Sequence, residues 1–290
     1  MKNSFFKKYE CKLYAFGTVF LWASAFVFTK VGLQYFTASA LGLFRYISAS
    51  LALLVIGYIK KIGFPETRDI PKFLFSGAVG FTLYMITFNK GSQSLTSATG
   101  SVIIAIAPIL TAAFSSFIFK EKINFKGWLS IMVSFVGILV LTLWNGVFSI
   151  DIGIIFMLSA AILLAVYNIT QREYVKKYTA FQSTSYSIFA GTVLLMIFLP
   201  ESIPQLISAE PKAWLVLIYL GVFPSAIAYI WWSKALSVAE VTSEVTNFMF
   251  VTPLISAVMG SLIINEMPSL ETYIGGGIIL SGLILFNKYR

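Results

Sequence analysis

The sequence has no histidine, a single cysteine (Cys11), and charged side chains at only 11% of its 290 residues. One cysteine cannot form a disulfide within the chain, and without histidine the chain can hold neither a Cys/His metal site nor a His-based catalytic triad. Soluble domains carry about 25% charged residues, so the low charge also argues against a soluble fold. We therefore expect no cofactor, no bound metal and no enzymatic activity.

Apolar side chains make up 58% of the sequence, and they are concentrated in long runs. About 20 apolar residues are needed to span a bilayer as a helix. Nine runs carry no charge at all, and a tenth, Val31–Ile59, is broken only by Arg45. We predict an all-α membrane protein with ten transmembrane helices, whose longest loop is Pro200–Lys212.

One pattern of residues occurs twice, 145 positions apart. In both copies Pro precedes Glu by 13 positions and Glu precedes Gly by 16. The two copies are Ala107-Pro108-Ile109-Leu110 with Glu121 and Gly137, and Thr252-Pro253-Leu254-Ile255 with Glu266 and Gly282. We predict two repeats, residues 12–145 (spans 1–5) and 151–290 (spans 6–10). Because five is an odd number, the halves cross the membrane in opposite directions, as two inverted five-helix repeats.

The net charge of +9 is distributed unevenly about these spans. Seventeen of the 21 Lys and Arg residues fall on the side of the N-terminus, and only Lys30, Lys90 and Lys212 fall on the other. This asymmetry predicts that both termini are cytoplasmic. The basic charge is then a topology signal, so we expect a small-molecule substrate and the lipid bilayer as partners and no nucleic acid. We expect a bacterial plasma membrane, with the basic N-terminus leading into an uncleaved first span.

Several motifs in each half resemble those of a known family. In the first half these are Leu21-Trp22-Ala23-Ser24-Ala25-Phe26, Leu43-Phe44-Arg45-Tyr46, Ser97-Ala98, Pro108, Glu121, Gly127-Trp128 and Gly137; in the second they are Tyr219-Leu220-Gly221-Val222, Ala228-Tyr229, Ala235-Leu236, Pro253, Glu266 and Gly282. Together they resemble two EamA domains of the drug/metabolite transporter superfamily. The resemblance covers nearly the whole chain. It implies ten helices and transport of a small metabolite or drug, often amino-acid export.

Two prolines, Pro108 and Pro253, stand inside apolar spans at equivalent positions of the two halves. A proline removes one helix hydrogen bond and leaves a carbonyl without its donor. Paired helix breaks are typical of transporter binding sites, so we interpret both as kinks beside a central cavity with a role in gating. The alternative is a static kink that serves packing alone.

Arg45 is the one charged residue well inside an apolar span. It lies eight residues from Thr37, at a depth of about 12 Å at 1.5 Å per residue. A charge there costs at least ~2.5 kcal/mol, which points to a specific acceptor. The acceptor is either the carboxylate of a substrate or, on a structural interpretation, a carbonyl or other group of the protein.

Glu244 is the candidate for proton coupling, because it lies just beyond a span boundary near Asn247. A desolvated carboxylate has a raised pKa and can exchange a proton as a cavity opens and closes. The alternative is an acidic residue that stabilises a helix N-terminus. We assign that second, structural role to Glu121 and Glu266, which precede the helix-capping residues Asn124 and Ser269.

Aromatic residues are abundant, and five of them lie within spans near the expected centre: Trp22, Tyr84, Tyr167, Tyr229 and Trp232. These side chains can stack on an aromatic or cationic substrate. With Arg45, Asn89 and Asn247 they complete the predicted substrate site. For each aromatic residue the alternative is ordinary core packing.

Small residues recur in the fifth and tenth spans, including a Gly277-xxx-Ser281 pattern that permits close helix approach. We expect packing within the monomer, with a homodimer as the alternative. In sum, the sequence predicts a secondary transporter that exports amino acids or related amphipathic metabolites, with proton coupling through Glu244 as a hypothesis. The rivals are an uptake carrier for a small cation or metabolite, a passive channel and an intramembrane enzyme.

Overall fold

The described part of the chain folds into ten apolar helices. The computed structural model describes residues 2–120, 122–144, 151–238, 245 and 247–289. Nine helices in that part of the chain are long and apolar enough to cross a membrane, and a tenth, α9, is shorter. The helices are α1 Lys2–Gly32, α2 Ala38–Ile59, α3 Thr67–Ser94, α4 Ser97–Ile118, α5 Phe125–Leu143, α6 Ile152–Tyr174, α7 Ala180–Ile207, α8 Pro211–Trp232, α9 Phe248–Ile264 and α10 Leu270–Tyr289. The predicted all-α membrane fold is confirmed.

Short polar side chains cap the N-termini of five of these helices. In each case the side-chain oxygen accepts a hydrogen bond from a backbone N–H of the first turn, which has no partner within the helix. The capping residues are Thr37 for α2, Thr96 for α4, Asn124 for α5, Asp151 for α6 and Thr179 for α7. These caps allow connections of only a few residues, so consecutive helices run in opposite directions.

The prediction of a loop over Pro200–Lys212 is wrong for most of that segment, which is helical. After a 3₁₀ turn at Met196–Phe198, α7 continues as an α-helix through Leu199–Ile207. Pro200 stands in the first turn of that segment, where the missing N–H has no intrahelical acceptor to lose. Only the residues between Ile207 and Pro211 connect α7 to α8.

Helix packing repeats between the two halves as a two-fold relation requires. The α3–α6 contact corresponds to α8–α1, the α2–α8 contact to α7–α3, and the α4–α6 contact to α9–α1. Three further pairs are their own equivalents, namely α2–α7, α4–α9 and α5–α10. All are contacts between the halves, and the main cluster of buried apolar residues contains residues of both. Helices α1–α4 and α6–α9 surround the centre, and α5 and α10 pack against each other.

The α5–α10 contact depends on small residues. A Cβ atom on Gly137 would lie 2.7 Å from the Gly275 carbonyl oxygen, and one on Gly282 would lie 2.7 Å from the Ser134 backbone nitrogen. The expectation that Gly277 and Ser281 pack within the monomer is wrong. A Cβ on Gly277 would meet nothing within 4 Å, and Ser281 is exposed. Their pattern lies on the outer surface of α10, and the homodimer stays a prediction.

Hydrogen bonds between helix ends define two faces of the molecule. On the Lys30 face, Ser94 at the end of α3 donates to Asp151 at the start of α6 over 2.8 Å, and the Thr37 N–H donates to Gln205 near the end of α7 over 2.9 Å. On the opposite face, here called the Asp69 face, Lys177 after α6 pairs with Asp69 at the start of α3 at 2.5 Å.

Candidate functional site

Arg45 lies on α2 against the centre of the helix bundle and is only 7% exposed. Its Nε donates to the Ser225 hydroxyl over 2.8 Å, and its Nη1 lies 3.5 Å from the Thr29 hydroxyl and 3.9 Å from the Met85 sulfur. These partners come from α8, α1 and α3. None is negatively charged, and no carboxylate of the described residues pairs with this guanidinium. Within the described part of the chain, the positive charge of Arg45 is therefore buried without an opposite charge.

The Arg45 contact on α8 falls in a distorted segment of that helix. Residues Phe223–Ile227 form a π-helical turn, and the Ser225 hydroxyl donates to the Leu220 carbonyl over 2.9 Å. Helix α3, which corresponds to α8 in the other half, contains a π-helical turn at Ala78–Leu83. Turns of this kind are rare in proteins, and those that do occur are often found at functional sites. The two turns lie just before Tyr84 and Tyr229, which therefore occupy corresponding places.

Helix α1 supplies hydrogen-bond donors to the distorted part of α8. The Trp22 indole N–H donates to the Pro224 carbonyl over 3.2 Å, and the Thr18 hydroxyl donates to the Ala228 carbonyl over 3.2 Å. In an apolar environment a backbone carbonyl without a donor is costly. The α1 side chains thus stabilise the irregular turn, and this contact fixes Trp22 beside the site.

The aromatic side chains form a continuous row from α8 to α6. Trp22 lies between Trp232 and Tyr229, with ring centroids 5.1 and 5.5 Å away. Phe81 continues the row, 6.5 Å from Tyr229 and 5.0 Å from Tyr167. Each neighbouring pair is tilted or edge-to-face, an arrangement that aromatic rings favour.

Arg45 and the aromatic row form one site. The guanidinium carbon of Arg45 lies 6.0 Å from the centre of the Tyr46 ring, and that ring lies 5.4 Å from Phe81 in the row. We call the whole set the central cluster; it consists of Trp22, Arg45, Tyr46, Phe81, Tyr84, Tyr167, Tyr229 and Trp232. Trp22, Tyr84, Tyr229 and Trp232 are half-buried, whereas Arg45, Tyr46, Phe81 and Tyr167 are buried.

Three predicted site residues lie apart from the central cluster or outside the described part of the chain. The Asn89 amide donates to the Ala38 carbonyl over 2.8 Å, about two helical turns from Arg45 along α2, and so joins α3 to the start of that helix. The backbone of Asn247 begins a 3₁₀ segment, Asn247–Val251, that precedes α9. Glu244 lies outside the described residues, as does Glu121.

Both predicted proline positions coincide with interruptions of helical structure. Helix α4 is interrupted at Ala105 and Ile106, and Pro108 stands in the first turn of the segment that follows. The 3₁₀ segment before α9 ends where Thr252 and Pro253 begin regular α-helix. The breaks follow from the missing proline N–H, and the gating role stays a prediction.

A polar contact between the halves lies on the Lys30 face. The Lys30 ammonium forms an ion pair with Glu266 and donates to the Leu95 carbonyl over 2.8 Å. Glu266 also accepts the Ser97 N–H over 2.9 Å, at the start of α4. Glu266 therefore stabilises a helix N-terminus, as predicted, but that of α4 in the other half. Its ion pair with Lys30 was not predicted from the sequence. We call Lys30, Leu95, Ser97 and Glu266 the Lys30 latch.

Comparison with known proteins places this architecture in a family. A family model described as the EamA-like transporter family matches residues 11–143 and, a second time, residues 151–288. The chain belongs to this family. As an EamA-like transporter, it is a multi-pass membrane protein that carries a small molecule through the bilayer and is not an enzyme.

Individual relatives agree with this assignment. "Uncharacterized transporter YdfC" of Bacillus subtilis is 33% identical over 264 residues, which cover 91% of this EamA-like chain and 86% of that protein. "Probable terminal-alkyne amino-acid exporter" of Streptantibioticus cattleyicolor is 28% identical over 271 residues, covering 93% and 91% of the two chains. A solved structure with a TM-score of 0.66 and 16% identity covers 97% of both chains and shows that the fold has been observed experimentally.

Sequence reasoning missed several residues that contact predicted site residues, among them Thr29, Tyr46, Phe81 and Ser225. One signal was available, because Pro224 is a third proline inside an apolar span and marks the distorted turn that presents Ser225. Tyr46 and Phe81 carry no such signal, because a tyrosine or phenylalanine in an apolar span is ordinary.

Proposed function

We propose that this EamA-like transporter exports an amino acid or a related amphipathic metabolite, and that Arg45 binds the carboxylate of the substrate. The observation that carries the proposal is the buried positive charge of Arg45, which has hydroxyl and thioether neighbours but no carboxylate partner in the described part of the chain. A guanidinium group is well suited to a carboxylate, which it can bind through two parallel hydrogen bonds.

The aromatic row supplies the second half of an amino-acid site. Trp22, Tyr229 and Trp232 present half-buried ring faces and edges beside the Arg45 region. Rings of this kind accept an apolar side chain and attract an ammonium group through the cation–π interaction. A zwitterion with an apolar side chain matches both parts, and the relative from Streptantibioticus cattleyicolor is named as an amino-acid exporter.

Alternating access supplies the proposed mechanism. The two-fold relation of the helix contacts means that exchanging the conformations of the halves exchanges the face on which the central cluster opens. We assign the Asp69 face to the cytoplasm, because it carries most of the Lys and Arg residues. Substrate then enters from the Asp69 face and leaves past the Lys30 latch.

The test is transport by the purified protein in liposomes, with paired probes that differ only in the carboxylate. Phenylalanine and phenethylamine form one such pair, and leucine and isoamylamine form another. We expect the amino acids to accelerate counterflow and the amines to leave it unchanged. Because a hydrogen bond to a charged group contributes about 1.5–3 kcal/mol, Arg45→Met should weaken amino-acid transport about tenfold to a hundredfold.

Lys90→Met is the matched control, since Lys90 is an exposed cation on the Lys30 face, 5.2 Å from the Phe156 ring. It should transport like the unchanged protein. Equal transport of amines and amino acids would instead favour the rival carrier for small cations. If Arg45→Met lowers transport of both probe types equally, Arg45 is a structural anchor and the proposed carboxylate site is wrong.

A further inference from the structure

A groove lies on the outer surface of the helix bundle, between α2 and α7 near the Asp69 face. Its volume is about 550 Å³, within the range of about 300–1,000 Å³ that is usual for small-molecule sites. Residues from the end of α2, the connection to α3, the start of α3 and the first half of α7 line it. Its apolar lining includes Leu53, Tyr58, Phe64, Leu74, Phe181 and Val193.

The dimensions of the groove match one leaflet of a bilayer. Along α7 the lining runs from Phe181 to Val193, a distance of about 18 Å at 1.5 Å per residue. The hydrocarbon core of a bilayer is about 30 Å thick, so one leaflet contributes about half of that depth. Tyr58 and Phe64 at the mouth are 88% and 95% exposed, and aromatic side chains favour this membrane interface.

Two lysines stand at the mouth of the groove with their charges uncompensated. Lys60 and Lys61 follow the last turn of α2, and neither forms an ion pair within the described part of the chain. The Lys60 ammonium lies 5.3 Å from the centre of the Phe181 ring, which lines the groove.

The nearby carboxylates are already engaged by other cations. Glu66 pairs with Arg68 and Lys177, each at 2.7 Å, and Asp69 pairs with Lys72 and Lys177. Hydrogen bonding from Lys177 holds the pKa of Glu66 below its ordinary value, so this carboxylate stays charged and paired at neutral pH. The mouth of the groove is therefore positively charged.

One polar group in the mostly apolar wall has no hydrogen-bond partner in the described part of the chain. Ser185 lines the groove and is 3% exposed, and its hydroxyl has no hydrogen-bond partner among the described residues. It stands one turn beyond Phe181 on α7. A buried hydroxyl without a partner is unfavourable unless a ligand oxygen supplies one.

We propose that this groove binds one anionic phospholipid of the leaflet that borders the Asp69 face. One acyl chain lies along α7 from Ser185 to Val193, the Ser185 hydroxyl donates to its ester oxygen, and Lys60 and Lys61 bind the phosphate near Phe181. Apolar burial holds the chain, and the two lysines select an anionic headgroup over a zwitterionic one. The site is independent of the substrate proposed for the central cluster.

The experiment measures lipid retention on the purified full-length protein by native mass spectrometry, with phosphatidylglycerol and phosphatidylcholine of identical acyl chains. We expect preferential retention of phosphatidylglycerol. Lys60→Gln combined with Lys61→Gln should lower its apparent affinity on the order of tenfold and leave phosphatidylcholine unchanged. The control is Lys120→Gln combined with Lys122→Gln, which removes two charges on the same face between α4 and α5.

A second variant tests the acyl chain. Gly57 lines the groove, and a Cβ there would meet nothing within 4 Å, so Gly57→Leu fills the groove without a clash and removes a weak helix former. It should reduce retention of both lipids. Gly277→Leu is the matched control, because Gly277 is an equally open glycine on α10. Val193→Trp, at a 64% exposed position of the lining, should act as Gly57→Leu does.

Three results would overturn the proposal. The first is full retention of phosphatidylglycerol in both groove-filling variants. The second is complete displacement of the lipid by inorganic phosphate, which would mean that the lysines bind free phosphate and the groove binds no chain. The third is a change of oligomeric state in Gly57→Leu, which would mean that a second copy of the protein covers the groove.

Discussion

Removing the negative charge of the Lys30 latch should open the Lys30 face. Glu266, just after α9, forms an ion pair with Lys30 in the last turn of α1 and accepts the Ser97 N–H at the start of α4. This one carboxylate therefore connects three helix ends. If these contacts exist only when the Lys30 face is closed, Glu266→Gln destabilises that conformation and leaves its counterpart unaffected. A population shift requires such a difference between the two states.

The size of the effect follows from the partial exposure of the pair. The Lys30 and Glu266 side chains are 21% and 18% exposed, so the pair is neither fully exposed nor fully buried. Exposed pairs contribute about 0–1 kcal/mol, whereas disrupting a buried pair costs about 3–5 kcal/mol. The amide that replaces the carboxylate in Glu266→Gln can still accept from the Ser97 N–H, so we expect a loss of about 1–2 kcal/mol. Since 1.4 kcal/mol is a factor of ten, the open population should rise about tenfold.

The assay is the rate at which an impermeant maleimide labels a cysteine behind the latch. Ser256 is a suitable position, because it is fully buried in the contact between α9 and α4 and its hydroxyl donates to the Ser97 carbonyl over 3.0 Å. The native Cys11 is itself buried, and a Cys11→Ser background removes it. In Ser256→Cys protein, Glu266→Gln should raise the labelling rate about tenfold.

Two comparisons decide whether the ion pair is responsible. Lys30→Gln should raise the labelling rate as Glu266→Gln does. The double variant should add little to this rise, because both changes remove the same ion pair. Glu271→Gln, in the first turn of α10, should leave labelling unchanged. Unchanged labelling in Glu266→Gln, or an equal rise in Glu271→Gln, would refute the reasoning.

Three further predictions concern topology, the proline breaks and proton coupling. A cysteine at Ser208 should label from outside intact cells and one at Thr67 should not; both positions are exposed, and the reverse pattern would contradict cytoplasmic termini. Pro108→Ala combined with Pro253→Ala should slow counterflow in liposomes while expression is kept, and normal transport would exclude gating by these breaks. Glu244→Gln should abolish accumulation driven by a pH gradient and keep substrate exchange, which needs no net proton movement; continued accumulation would rule out Glu244 as the coupling group.

The sequence was sufficient to predict the helices and two of their interruptions, because both depend on local chemistry. Apolar runs long enough to cross a bilayer can satisfy their backbone only as helices, so composition and run length predict their number. Pro108 and Pro253 lack an N–H wherever they stand, so the interruptions beside them were predictable. The same local rule misled at Pro200, whose place in the first turn of a helical segment makes the missing N–H harmless.

The site was predictable in its residue types and only partly in its members. Arg45 stood out because a charge in an apolar span is rare, and five aromatic residues stood out by their depth. Asn89 has a similar polar character, yet the structure joins it to the Ala38 carbonyl, about two helical turns from Arg45. Hydrogen-bonding capacity identifies a candidate, but only the direction of the side chain determines its partner.

The partners themselves were decided by the tertiary structure. Arg45 and Ser225 are 180 positions apart in sequence, and Trp22 and Pro224 are 202 apart. Lys30 and Glu266 come from opposite ends of the chain, and each alone reads as an ordinary residue at a span boundary. Sequence spacing within a helix fixes which residues share a face, but it contains no information on which helix covers that face. Packing between the two halves determines that choice, and with it the central cluster, the Lys30 latch and the groove between α2 and α7.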